Sequence, residues 1–512
     1  MKRLFRFGGL ATAVAIVSLL GAPAAAGAAY LPPELEPFYH YSGPTPLSQI
    51  PPGTVLRERT VTVHVKGLPS PVEAVQLLYR TTTELGEPTV NVTTVLEPLT
   101  HKLGLSLTPA VISYQSFYDT LNPEDEPSYQ IARGSINEEE LVIVSPWLLA
   151  GDPVVITDIE GQRAAFAAGP EYGYNTIDGL RAALSAKLTG LQGTRPRIAL
   201  VGYSGGAFGT EWAVELAPTY APELNGMIVG AAFGGTPVDP EHIVRYVEGT
   251  PTWAGVILEG AIGLLRTFHQ EAEITRYASP YGLELYNRFQ RSSIGEIDED
   301  LPYLTWSMIF KPQYPTLEKT PIAVKDANQL IMGTRGTPTV PLFIGQGTGG
   351  EQQGTPGNRP GIGPGDGVMP AGDTRTLARE YCSRGVTVEY KEYAGLDHEQ
   401  TFIRWHPEAV AWILSRLAGL PAPQDCSSIP PGNDIEPLPV PREGGEQAGD
   451  PSGPQGADAP HAAFPAAPAK AREAAQRRRR RAALSRRHRS HQFQSHRRLA
   501  KRGRHRRGKG RG

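Results

Sequence analysis

The sequence predicts an α/β domain with a mainly parallel sheet, preceded by an export segment and followed by a tail that builds no core. Three observations carry this reading. Strand-like apolar runs alternate with helical ones from about residue 74 to residue 419. The pattern Gly202-Tyr203-Ser204-Gly205-Gly206 sits between the strand "RIALVG" and the helix "AFGTEWAVELA". After Cys426 the composition turns to Pro, Gly and Ala, and then to Arg. A chain of 512 residues has room for a large domain and such extensions.

Residues 1–29 begin with Lys2, Arg3 and Arg6, continue as an apolar run to Gly21 and end in "APAAAGAA". That order is a secretory signal peptide, cut near Ala26 or Ala29. A membrane anchor needs about 20 apolar residues, and this run is shorter. The folded domain is expected over 30–426. Proline-rich residues 30–55 lead in, and strands are expected at 74–83 and 90–98, with "ELGEP" as the turn. A buried strand follows at 153–161, then a helix at 175–188 with Asn175 or Thr176 as its N-cap. Strand 197–202, the Ser204 turn, helix 207–217 and strand 224–233 come next. Strands 340–347 and 385–395 and helix 407–419 close the set.

Between Gly235 and Thr339 the alternation breaks. Residues 253–268 and 281–289 look helical, and Trp253, Ile257, Ala261, Leu264, Leu265 and Phe268 fall near one face. Two readings stand: ordinary packing within the domain, or a helical cap over about 237–338. A cap would cover the carboxyl edge of the sheet, where α/β sheets bind ligands.

Cys382 and Cys426, the only cysteines, lie 44 residues apart. An even pair in an exported chain suggests one disulfide, and closing that loop stabilises by roughly 4 kcal/mol on the chain-entropy account. Two cysteines cannot build a structural zinc cluster, and no histidines pair at metal-ligand spacing, so neither metal nor cofactor is expected.

The Gly-x-Ser-x-Gly pattern has a physical reason at each place. A serine on a sharp strand-to-helix turn is exposed at the sheet edge, and side chains two residues to either side would collide, hence Gly202 and Gly206. The helix that follows aims N–H groups toward developing negative charge. The bland reading is an inert glycine-rich turn. A serine hydroxyl is a weak nucleophile and needs a base, which needs an orienting group. His398, in "GLDHEQT", follows strand 385–395 and can reach the same edge. His406 stands at a helix start, and His242 and His269 precede the last two strands. For the acid, Asp366 in "GPGDGVMP" follows strand 340–347, although a Gly/Pro-rich insertion at 348–364 lengthens the loop. Asp373 competes but reads better as the N-cap of the next helix. Asp397, adjacent to His398, points elsewhere.

These residues sit among stretches that resemble the secretory lipase family, the group that includes Candida antarctica lipase A. The matching stretches include "LLYRTTTELGEP", "ISYQSFYDT", "VITDIEG", "GYSGGA", "GAAFGGTPVD", "GDGVMP" and "AGLDHEQT", in the family's order through most of 70–415. The resemblance implies an α/β-hydrolase core with a helical lid inserted before the strand that carries the acid. It implies a secreted serine ester hydrolase, a triacylglycerol lipase or carboxylesterase, with catalytic Ser204, Asp366 and His398. It also implies an oxyanion hole from the Gly205 backbone and Asp119, and an aspartate donates there only if protonated. The expected substrate is an ester or lipid, and Trp253, Leu264, Leu265 and Phe268 are expected to border its acyl pocket. The insertion at 348–364 and the basic tail depart from the family pattern. A catalytically silent binding protein at the cell surface, or a peptidase on the same fold, are the alternatives.

Residues 427–469 read as a Pro/Gly/Ala-rich linker and 470–512 as a disordered basic tail. The tail holds 19 Lys and Arg against one acid, Glu473, whereas residues 1–469 hold 31 basic and 51 acidic residues. Binding to an anionic surface such as cell envelope or phospholipid, folding back on the acidic body, and simple solvation are the three readings. Phe493 is its only aromatic, so specific nucleic-acid recognition is not expected. "NVT" at 91–93 is a glycosylation sequon if the host is eukaryotic. The expected location is extracellular or cell-envelope associated. Oligomeric state and acyl chain length are not legible.

Overall fold

The computed structural model describes residues 31–442, except 66–67, 99, 101–102, 104–109 and 135–137. The expectations for the signal peptide, for 443–469 and for the basic tail lie outside the described residues.

Nine strands form one sheet: β1 (Val55–Val65), β2 (Leu68–Thr82), β3 (Pro88–Glu97), β4 (Ala110–Gln115), β5 (Val154–Thr157), β6 (Arg197–Tyr203), β7 (Ile228–Gly234), β8 (Leu342–Gly347) and β9 (Val388–Tyr393). Their spatial order is β1-β2-β3-β5-β4-β6-β7-β8-β9. The β1–β2–β3–β5 pairings are antiparallel, and every pairing from β5 through β4 to β9 is parallel. The mainly parallel α/β sheet is therefore as expected, with an antiparallel wing at one edge.

The parallel strands read as continuous apolar runs because helices cover both faces. Along β6, Ile198 and Leu200 point into one core and Ala199 and Val201 into the other. The helices used below are α1 (Pro127–Ala132), α2 (Glu138–Ala150), α3 (Gly169–Ser185), α4 (Gly205–Tyr220), α5 (Pro240–Val247), α6 (Val256–Thr267), α7 (Pro280–Phe289), α8 (Ile294–Asp300), α9 (Pro321–Ala327), α10 (Ala371–Ser383) and α11 (His398–Leu417). The first core takes Leu180 of α3, Trp212 of α4 and Tyr381 of α10. The second takes Trp147 of α2 and Trp405 and Trp412 of α11. Each such side chain removed from water contributes on the order of 2 kcal/mol.

Between β7 and β8 the chain adds α5 to α9. These helices bury a cluster of their own, with Ile257, Ile262, Leu285, Phe289 and Trp306 packed on Leu121, Phe166 and Met369 of the sheet domain. The stretch is the one expected as a cap.

Several elements differ from expectation. β1 and β4 are strands the sequence did not announce. α3 starts at Gly169, so Asn175 and Thr176 are buried inside it and Ala168 occupies the N-cap. Pro407 looks like a helix start, yet it lies within α11, which begins at His398 with Asp397 as N-cap. Asp397 is thus committed to the Gln400 N–H, 2.8 Å away, as its sideways placement required. α10 starts at Ala371 with Pro370 at the N-cap, so Asp373 lies in its first turn and is no cap. The linker expected from 427 begins later: Ile429 and Ile435 are buried, and Leu438 and Asn328 exchange backbone and side-chain hydrogen bonds. A disulfide joins Cys382 to Cys426, with Cα atoms 5.5 Å apart. Asn91 of the sequon is buried, and its amide donates to the Asp158 carbonyl at 2.6 Å, so it offers no acceptor for a glycan. Among the described residues no helix is long and apolar enough to cross a membrane.

Candidate active site

β6 ends at Tyr203, and Ser204 turns the chain into α4 with φ 54° and ψ −123°. A non-glycine residue in that region costs of order 1–3 kcal/mol and persists only where its surroundings hold it. Here the Ser204 N–H donates to the Gly234 carbonyl at 2.9 Å. A Cβ on Gly202 would lie 2.1 Å from the Gly206 carbonyl oxygen, and one on Gly206 would lie 2.1 Å from that of Gln115. The two glycines are therefore required by the tightness of the turn.

β9 leads to His398, the first residue of α11. Its Nε2 is 2.8 Å from Ser204 Oγ, and its Nδ1 is 2.7 Å from Asp366 Oδ2. The other oxygen of Asp366 accepts from the N–H groups of Val368 and Met369, at 3.1 and 2.8 Å. With a carboxylate accepting at Nδ1, the ring proton sits there and Nε2 is left to accept from the serine hydroxyl. Tyr203 holds the imidazole from below: its hydroxyl donates to the His398 carbonyl at 2.8 Å, and the rings lie 5.0 Å apart. Trp253 covers the imidazole edge-on at 5.4 Å.

The insertion at 348–364 does not displace Asp366. The loop doubles back: Gly350 N–H donates to the Gly365 carbonyl at 2.8 Å, and Gly365 bridges to Pro370. Asp366 consequently lies against Gly347, the last residue of β8, where a Cβ would be 2.9 Å from its own. The competing groups are elsewhere. Asp373 binds His242 at 2.8 Å, His406 packs on Trp147 and His269 is 4.0 Å from Glu87.

Asp119, four residues beyond β4, is buried with φ 29°. A Cβ on Gly205 would be 1.6 Å from Asp119 Oδ1, so only glycine allows that carboxyl to lie over the start of α4. Burial pushes the carboxyl up to about 7, against the opposing pull of His398 and the Gly205 N–H. Asp119 Oδ1 has no partner among the described residues. Asp119, Gly205, Ser204, His398 and Asp366 are thus brought together.

An apolar cavity of about 160 Å³ lies between the sheet domain and α5 to α9, lined by Phe166, Phe208, Ile257, Leu264, Leu265 and Met369. Leu264 and Leu265 line it as expected; Trp253 and Phe268 do not, because Trp253 is held by Gln353 at 2.8 Å and Phe268 is packed away. No spacing in the sequence marked Tyr203 as a support for the histidine; its only signal is its place inside the serine pattern. Among the described residues no cluster of three or more His, Cys, Asp or Glu side chains is placed to hold a metal ion.

The sequence profile of the family described as secretory lipase matches residues 130–425. The chain belongs to this family. Lipase A of Arthroderma benhamiae is 31% identical over 418 residues, covering 78% of this chain and 82% of that one. The trichothecene C-3 esterase of Fusarium sporotrichioides is 31% identical over 411 residues, covering 78% and 86%. The crystal structure of Candida antarctica lipase A aligns with a TM-score of 0.65 at 27% identity, covering 81% of this chain and 92% of that one. This secretory lipase is therefore an enzyme of the lipase and esterase class with an α/β-hydrolase fold, and its substrate is an ester or lipid.

Proposed function

We propose that the chain is an exported serine ester hydrolase that turns over lipid esters through an acyl-enzyme on Ser204. One observation carries this reading: the unbroken relay from Ser204 Oγ to His398 Nε2, and from His398 Nδ1 to Asp366, with contacts of 2.8 and 2.7 Å. His398 takes the hydroxyl proton as Ser204 Oγ attacks the ester carbonyl carbon. Asp366 steadies the imidazolium that results. The oxygen that becomes negative is held by the Gly205 N–H and by Asp119 in its protonated form. Collapse of the tetrahedral intermediate breaks the bond to the alcohol oxygen, which leaves with the proton from His398. Water then attacks the acyl-serine by the same route and releases the acid.

The apolar cavity beneath α5 to α9 supports an acyl chain as the buried half of the substrate, with those helices as a lid. Residues 1–29 direct export and are removed. A hydrolysis profile over p-nitrophenyl esters from two to sixteen carbons, with triglycerides, tests the reading. Turnover is expected to favour acyl chains long enough to fill the cavity and to be lost in Ser204→Ala. A flat profile confined to the shortest esters contradicts the acyl assignment, and activity in Ser204→Ala contradicts the mechanism.

A further inference from the structure

We propose that an apolar surface on α2 and α11 seats this enzyme on the lipid–water interface. It rests on the lipid-ester reading above. The residues of α2, "EEELVIVSPWLLA", are apolar on both sides of the helix. Ile143, Val144 and Trp147 face the core, at 5%, 0% and 0% exposure, whereas Val142 and Leu149 are 69% and 85% exposed. The two are one heptad apart and share the outer face. The neighbouring helix α11 packs against α2 through His406 on Trp147, ring to ring at 6.0 Å, and exposes Ile403 at 71%. These are among the most exposed large apolar side chains of the described residues. A single exposed leucine needs no explanation, but two large aliphatic side chains set in water on one face of a helix whose other face is core, with a third on the adjoining helix, do.

The surface begins at the catalytic edge. Glu140 of α2 binds Ser116 at 2.6 Å, three residues before Asp119. Phe117 packs on Phe402 with ring centroids 5.2 Å apart, next to Ile403 and four residues after His398. Leu149 lies two helical turns further along α2, toward the amino edge of the sheet. Three side chains are far too few for a lasting protein partner or dimer, which takes about 800 Å² per side. They suffice for lipid, because each large aliphatic group moved out of water strengthens partitioning by about tenfold or more. A lipase has its substrate in such an interface, and α2 and α11 both start at the edge of the sheet that carries the serine.

The test compares the full chain with the variant Val142→Ser/Leu149→Ser/Ile403→Ser. Three quantities are read: partition onto phosphatidylcholine vesicles, turnover of emulsified triolein, and turnover of soluble p-nitrophenyl butyrate. The expected result is at least a tenfold loss of partition and a matching loss on triolein, with butyrate turnover unchanged. Equal partition and equal triolein turnover overturn the proposal. So does a fall in oligomeric state by light scattering in the variant, which means that a second copy covers the face. Loss of butyrate turnover in both proteins defeats the esterase reading alone, since partition still reports on the patch. Should the triple variant fail to fold, Ile403→Trp carries the test. Its emission is expected to shift to the blue on vesicles with raised partition, and an unchanged spectrum overturns the proposal.

Discussion

Asp119 carries the most exacting demand of any single residue in the site. In the proposed mechanism its carboxyl holds a proton to donate to the oxyanion, and burial raises it to about 7. A raised acid is protonated below that value and loses its proton as pH climbs through it. The kcat/KM profile is therefore expected to fall on its alkaline side near pH 7. Asp119→Asn supplies a donor that does not titrate, so it is expected to remove this limb while retaining activity at higher pH. An alkaline limb left unchanged by that substitution contradicts the assignment. The serine and its two glycines were legible in the sequence because a tight strand-to-helix turn leaves few alternatives. His398 and Asp366 were legible from chain order and loop context. Asp119 was not legible from its own surroundings; "FYDT" reads as an ordinary turn, and its place over Gly205 depends on a contact 86 residues distant. Tyr203 likewise shows its support of His398 only once α11 is folded against β6.

Helix α6 presents a second buried acid. Glu259 is fully buried, and neither of its oxygens has a partner among the described residues. Desolvation, with the charges of Asp119 and Asp298 beside it, holds it well above the ordinary 4.5. An acid raised on folding costs stability once pH exceeds its unfolded value, by up to about 1.4 kcal/mol per pH unit until the folded value is reached. Glu259→Gln is therefore expected to raise the melting temperature at pH 7.5 and to change it little at pH 4. Equal melting temperatures at both values, or a gain only at pH 4, contradict this placement. Elements were legible where periodicity was long and both ends were marked, as in β6, α4 and β8. They were illegible where a proline or a short run misled. Pro407 suggested a start nine residues after the real one at His398, and β4 is six residues long with no turn signal that isolates it. The loop at 348–364 appeared to threaten Asp366, but loop length does not fix where a loop ends; the Gly350–Gly365 bond does.

Across the whole molecule, charge is divided between an acidic body and a basic tail. Residues 470–512 carry 19 Lys and Arg against one acid. Retention on phosphatidylglycerol vesicles is expected for the full chain at low salt. It is expected to weaken as salt rises toward about 0.5 M, and deletion of 470–512 is expected to remove this salt-sensitive part. Equal retention by the truncated chain refutes this role for the tail. The sequence marked the change at Cys426, yet the body extends at least to Leu438, because Ile429 and Ile435 find apolar neighbours that composition alone does not reveal. The account as a whole depends on Ser204 being the nucleophile, and the most direct measurement is peptide-level mass spectrometry after reaction with a fluorophosphonate. One adduct is expected, on Ser204, formed slowly in His398→Ala and absent in Ser204→Ala. No adduct on the intact chain, or an adduct that persists in Ser204→Ala, contradicts the account.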